Sequence, residues 1–169
     1  LQRVGIKVES KDITELIEKL REIRNELRPE STFEKNKAKQ IAFELLGFTP
    51  IIYGWGMYIP VAQRMKTQLN ENSKIPAFWS ILPEADHNDV VGWDGDKETS
   101  KRFCALLIRD SQEPEEMWNR IESTEKIVLK NNLGKIIHIQ ATGESSLARM
   151  FSVLYLGDFI SLYNAVLRG

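Results

Sequence analysis

Cysteine, histidine and any imbalance of charge are what this sequence has little of, and each shortage closes off a class of chemistry. A single cysteine, Cys104, excludes an internal disulfide framework and suits a reducing, cytoplasmic setting. Lys+Arg 23 against Asp+Glu 24 leaves a net charge of −1, with no overall basic footprint for nucleic acid or a membrane surface. No uninterrupted apolar run approaches the roughly 20 residues that cross a bilayer. Only two histidines, His87 and His138, are present, which leaves few imidazoles for proton transfer or metal ligation. Internal repeats, low-complexity segments and a signal-peptide pattern are absent as well. The chain begins at Leu1 and stops at Gly169 directly after an apolar helical pattern, so a piece of a longer polypeptide is expected.

What remains is a 169-residue chain, long enough to bury a core as one domain. Leu1 to Glu9 alternates loosely and reads as an edge strand or an ordered lead-in. Asp12 and Glu15 have capping-box spacing ahead of Ile13, Leu16, Ile17, Leu20, Ile23 and Leu27, a helix closed by Pro29. Residues 1–32 thus form a lead-in and first helix. A second helix is predicted from about Phe33 to Leu46, with Gly47 as its left-handed stop. Thr49 to Trp55 is a short β-prone run that feeds a helix beginning near Ile59. Gly54 and Gly56 at that junction fit either a ligand-binding βα turn or a tight turn with no ligand. Lys101 to Asp110 has the continuous apolar middle of a strand covered on both faces. Pro114 to about Asn131 reads as a helix, Lys135 to Thr142 as a strand, and Leu147 to Arg168 as a buried helix. This alternation predicts an α/β fold in which helices sandwich a parallel sheet, with right-handed crossovers.

The stretch from Arg64 to Trp93 concentrates cations, amides and proton-transfer groups. His87 lies in a polar loop with Glu84, Asp86 and Asp89, carboxylates that would hold its ring and favour its protonation. The same residues also fit a surface histidine in an acidic turn. As a metal site they are a weak pattern, with one histidine, no nearby cysteine and no EF-hand glycine. Glu71 closes the pattern Gln68-Leu69-Asn70-Glu71-Asn72. It reads as a solvated acid, unless Phe78 and Trp79 cover the helix end and desolvate it into a general base. His138, within Ile136-Ile137-His138-Ile139, reads as a satisfied histidine of a buried strand. Cys104 reads as an inert buried thiol, and Ser145 and Ser146 as helix-capping residues rather than a phosphate site.

Several of these segments together resemble a known family. They are Asn36 to Ala42, Ile51-Ile52-Tyr53-Gly54, Gln68-Leu69-Asn70-Glu71-Asn72 with Lys74 and Pro76-Ala77-Phe78, then Leu82-Pro83-Glu84 with His87-Asn88-Asp89, and Leu156-Gly157-Asp158-Phe159. The pattern is similar to the C-terminal half of the bifunctional phosphoglucose/phosphomannose isomerases, which carry two sugar isomerase (SIS) domains. The resemblance implies a flavodoxin-like three-layer fold over residues 1–169 and interconversion of glucose 6-phosphate, and of mannose 6-phosphate, with fructose 6-phosphate. It assigns Glu71 as the base that moves a proton between C1 and C2 through a cis-enediol. It assigns His87 to ring opening, reaching into the site of a second subunit of a homodimer. No metal or organic cofactor is implied. Asp89 stands where the family usually has Glu. The family's phosphate-cradling Ser/Thr loop and its enediolate-stabilising arginine belong to the N-terminal SIS domain, and a ring-opening lysine lies beyond Gly169. The isolated chain is therefore expected to be inactive or nearly so. A non-catalytic, sugar-phosphate-binding regulatory module and a dimerisation scaffold are the alternatives.

Overall fold

The computed structural model describes residues 9–169, so the strand or lead-in expected at the amino end falls almost wholly outside the described residues. Four strands, β1 (Thr49–Gly54), β2 (Phe78–Ile81), β3 (Phe103–Arg109) and β4 (Lys135–Gln140), form one all-parallel sheet in the order β2-β1-β3-β4. That is the flavodoxin-like order, whose topological switch point lies between β1 and β3. The two central strands are buried on both faces: Ile51, Ile52, Tyr53, Leu106, Leu107 and Ile108 are each no more than 4% exposed. β4 is an edge strand and alternates from Ile137 onward, with His138 and Gln140 exposed. The buried setting expected for His138 is therefore incorrect. Its apolar neighbours Ile137 and Ile139 point inward, and the period-2 alternation turns the imidazole out.

Two helices precede the sheet, α1 (Ser10–Leu27) and α2 (Lys37–Glu44). The expected capping box at α1 does not form. The helix starts upstream of Asp12, from Glu9, with no side-chain cap. α2 is shorter than predicted: Asn36 caps it by accepting from the Lys39 amide at 3.0 Å, and Gly47 turns the chain at φ +83°. α3 (Ile59–Glu71) follows β1 after a 3-10 turn at Gly56–Tyr58, and the short α4 (Asp89–Gly92) and α5 (Lys97–Ser100) lead from β2 to β3. The helix predicted from Pro114 to Asn131 is interrupted. It runs as α6 (Glu115–Thr124), a π-helical turn at Glu125–Leu129 and α7 (Lys130–Asn132).

The last helix, α8 (Ser146–Arg168), packs on α1, α2 and α3 and is the seam of the domain. It is also long and apolar enough, by length and composition, to cross a membrane, although Arg149 and Asp158 interrupt its apolar sequence. Its polar residues have partners inside the domain. Asn164 donates to the Ala42 carbonyl at 2.9 Å, and Ser161 accepts from Asn72 at 2.9 Å.

Candidate active site

Glu71 is the last residue of α3, a helix that starts with Pro60 in its first turn and buries Val61, Ala62, Met65 and Leu69. Because α3 returns from the carboxyl end of β1, Glu71 lies at the amino edge of the sheet. The amides around it do structural work. Asn70 Nδ2 donates to the Ile75 carbonyl at 2.8 Å, and Asn72 Nδ2 donates to Gln68 Oε1 and Ser161 Oγ, both at 2.9 Å. Ser73 Oγ donates to the Ser161 carbonyl at 2.7 Å, and Arg64 pairs with Asp158 at 3.0 Å. Lys74 then takes a left-handed conformation, φ 55°, that directs the chain into β2. The end of α3 is thus bolted to α8, while Glu71 itself is exposed and, among the described residues, makes no side-chain hydrogen bond or ion pair. Phe78 and Trp79 do not supply the cover that would have desolvated it, Phe78 being itself 53% exposed, so the solvated reading of Glu71 holds.

His87 ends a 3-10 turn, Glu84–His87, beyond the carboxyl end of β2. It too is exposed, and two of the carboxylates expected to hold its ring are engaged elsewhere. Asp86 accepts from Thr124 Oγ1 at 2.8 Å, and Glu84 accepts from Asn88 Nδ2 at 3.3 Å. Among the described residues none pairs with the imidazole. One chain does not bring the two candidate groups together: Glu71 precedes β2 and His87 follows it, at opposite edges of the sheet.

The crevice at the switch point holds residues the sequence reading did not single out. Asp110, just past β3, is buried. Its Oδ2 accepts from Tyr58 Oη at 2.5 Å and Arg149 Nε at 3.0 Å, and its Oδ1 accepts from the Gln112 amide at 2.9 Å. Burial, then the Asp110 carboxylate, push the Tyr58 phenol well above its ordinary range. Trp55 Nε1 donates to the Ile108 carbonyl at 2.9 Å. Gly54 is there for close packing, since a Cβ would sit 2.7 Å from the Tyr58 carbonyl oxygen and 2.8 Å from Ala62 Cβ. Beside these residues lies a cavity of about 510 Å³ lined by Met57, Gln112, Ser145, Ser146 and Arg149. An arginine in the first turn of a mostly apolar helix and an acid just after an apolar strand were the available signals.

At the amino end of α8 several amides already have partners. Ser145 caps it by accepting from the Ala148 amide at 3.1 Å, as expected. Glu15 of α1, freed from the capping role, accepts from the Glu144 and Ser145 amides at 2.6 and 3.0 Å. The hydrogen bonds from Ser145 and the Glu144 amide hold the Glu15 carboxyl below its usual range. Cys104 is fully buried, and burial pushes its thiol up to about 12, so it is no nucleophile.

Residues 34–169 match the family model described as the bacterial phospho-glucose isomerase C-terminal SIS domain. A bifunctional phosphoglucose/phosphomannose isomerase of Caldicellulosiruptor bescii is 37% identical over 156 residues, covering 92% of this chain and 46% of that protein. The namesake enzyme of Aquifex aeolicus is 37% identical over 136 residues, covering 80% of this chain and 42% of that one. In fold, the chain is similar to a glucose-6-phosphate isomerase like protein of Thermus thermophilus, with TM-score 0.79 at 24% identity over 94% of this chain and 53% of the other. The chain spans about half the length of the curated relatives it matches.

Proposed function

The chain belongs to the family of bacterial phospho-glucose isomerase C-terminal SIS domains, and from that premise we propose that it is one half of an aldose–ketose isomerase acting on hexose 6-phosphates. Glucose 6-phosphate and mannose 6-phosphate are its aldoses and fructose 6-phosphate its ketose. Glu71 takes the C2 proton of the open-chain aldose and returns it to C1 of the cis-enediol, while a second group moves the hydroxyl protons. His87 of the partner subunit opens the ring in a homodimer. A preceding SIS domain of the same polypeptide grips the phosphate and stabilises the enediolate. The proposed location is the cytoplasm, in keeping with the single buried Cys104.

The observation that carries this reading is the contrast at the end of α3. Asn70, Asn72 and Ser73 spend their side chains fixing the backbone, and the carboxylate they flank is left free at a rigid position. A base that must meet a carbon acid needs that combination of immobile support and an unengaged oxygen. The test is steady-state kinetics of Glu71→Gln in the full-length parent. Turnover is expected to fall by about a hundredfold or more, as for loss of a general base, with KM for the sugar phosphate little changed. Near wild-type turnover would overturn the assignment and leave a module that binds sugar phosphate without transforming it.

A further inference from the structure

The free edge of β4 carries a group of charged residues that takes no part in the proposed isomerisation. His138, 45% exposed, places Nε2 at 2.7 Å from Glu125 Oε2. Glu125, whose side chain is only 9% exposed, also receives Lys130 Nζ at 3.1 Å on its other oxygen. Both oxygens of this carboxylate are thus engaged. Glu125 opens the π-helical turn that interrupts the predicted helix, and such turns recur where a side chain is re-aimed for function. Beside it lies a cavity of about 530 Å³ lined by Lys37, Glu44, Glu125, Lys130, Lys135 and His138.

Three lysines face two glutamates in this cavity, in a chain whose net charge is −1. The negative groups are already committed or weakly engaged. Glu125 is saturated by Lys130 and His138, and the pair between Glu44 and Lys135 is long, 3.6 Å, and part-exposed. Lys37, among the described residues, has no ion-pair partner. The local excess is therefore positive, and it converges from α2, α7 and β4 on one concavity, where the charges sum their attraction for a counter-charge.

We propose that this cavity binds a small phosphate dianion, free or as the phosphoryl group of a monoester. Lys37 and Lys135 supply the charge, and the His138 imidazole, oriented by Glu125, lines the seat. The site is separate from Glu71 and His87 and can be read without any turnover.

The experiment is a titration of the protein with inorganic phosphate, followed by calorimetry and by amide chemical shifts. Saturable binding is expected, with shifts centred on Lys37, Lys130, Lys135 and His138. Lys37→Ala and Lys135→Ala should each weaken it, by about threefold or more for a part-exposed charge. Glu44→Gln should tighten it by a similar factor, because it releases Lys135 without adding a cation. All three positions are at the surface, and matching thermal melts will show that the variants fold. A parallel titration with glycerol 3-phosphate distinguishes a monoester, bound more tightly than phosphate, from the free anion. Phosphate binding that does not saturate, or that is unchanged in both lysine variants and in Glu44→Gln, would overturn the proposal.

Discussion

A carboxylate at the last position of a helix faces the negative end of the backbone dipole, and the last turn of α3 holds no basic residue to offset that. Glu71→Gln is therefore expected to leave folding stability unchanged or to raise it by about 0.3–1 kcal/mol, measured by urea denaturation, even as the parent loses turnover. A clear loss of stability would mark the carboxylate as structural. Arg149 is the opposite case. Its guanidinium and Asp110 are 6% and 2% exposed, so Arg149→Met strands a buried charge. That substitution is expected to cost about 3–5 kcal/mol, and adding Asp110→Asn should recover part of it in the same denaturation curves. The sequence named Glu71 and His87 because their motifs are short and contiguous. It did not show that Asn72 would spend its amide on Ser161, or that Asp110 would meet Arg149, since those partners are 89 and 39 residues apart. The exposed setting of Glu71 agrees with its reading as a solvated acid, and the alternative, cover by Phe78 and Trp79, depended on where those rings point and not on their being nearby in the chain.

At the scale of elements, those with clear periodicity were legible, and those defined by tertiary contacts were not. β1, β3, β4, α1 and α8 were readable from their apolar patterns. β2 was missed: its four residues, Phe78–Ile81, lie between two prolines with no room for alternation, and they become a strand by pairing with Ile51 to Gly54. The π-helical turn was hidden because Glu125 is drawn in by His138 and Lys130, which neither helix propensity nor periodicity records. The supposed capping box at α1 was a spacing without the geometry, and its Glu15 instead ties α1 to the start of α8. This tie has a pH signature. The Glu15 carboxyl is held below its reference value of 4.5, so folding favours its ionised form. Its contribution is full above that reference value and is lost as pH falls through the depressed one. Hydrogen exchange at the Glu144 and Ser145 amides should accordingly lose protection, relative to the intrinsic rate, on acidification from pH 5 to below 4. In Glu15→Gln the protection should be lower at pH 5 and nearly flat across that range.

For the whole molecule, the alternation of helix and strand was enough to anticipate a parallel sheet between helices, and the topology then constrains where chemistry can happen. β2 alone spans about 13 Å, four residues at roughly 3.3 Å each, and it separates Glu71 at the amino edge of the sheet from His87 beyond the carboxyl edge. A hexose phosphate cannot present its C1–C2 bond to one and its ring oxygen to the other within a single copy. If both groups act on one substrate, two copies must meet, with Glu71 from one and His87 from the other in each site. Consider the parent carrying either Glu71→Gln or His87→Ala, each nearly inactive alone. When the two are unfolded and refolded together, each mixed dimer contains one site with both defects and one site with neither. With random pairing, about half the dimers are mixed and half of their sites intact, so about a quarter of wild-type activity should return. Refolding either variant alone supplies the control. Activity that stays at the level of the single variants would mean that Glu71 and His87 do not share a site across subunits, whatever the fate of the base itself.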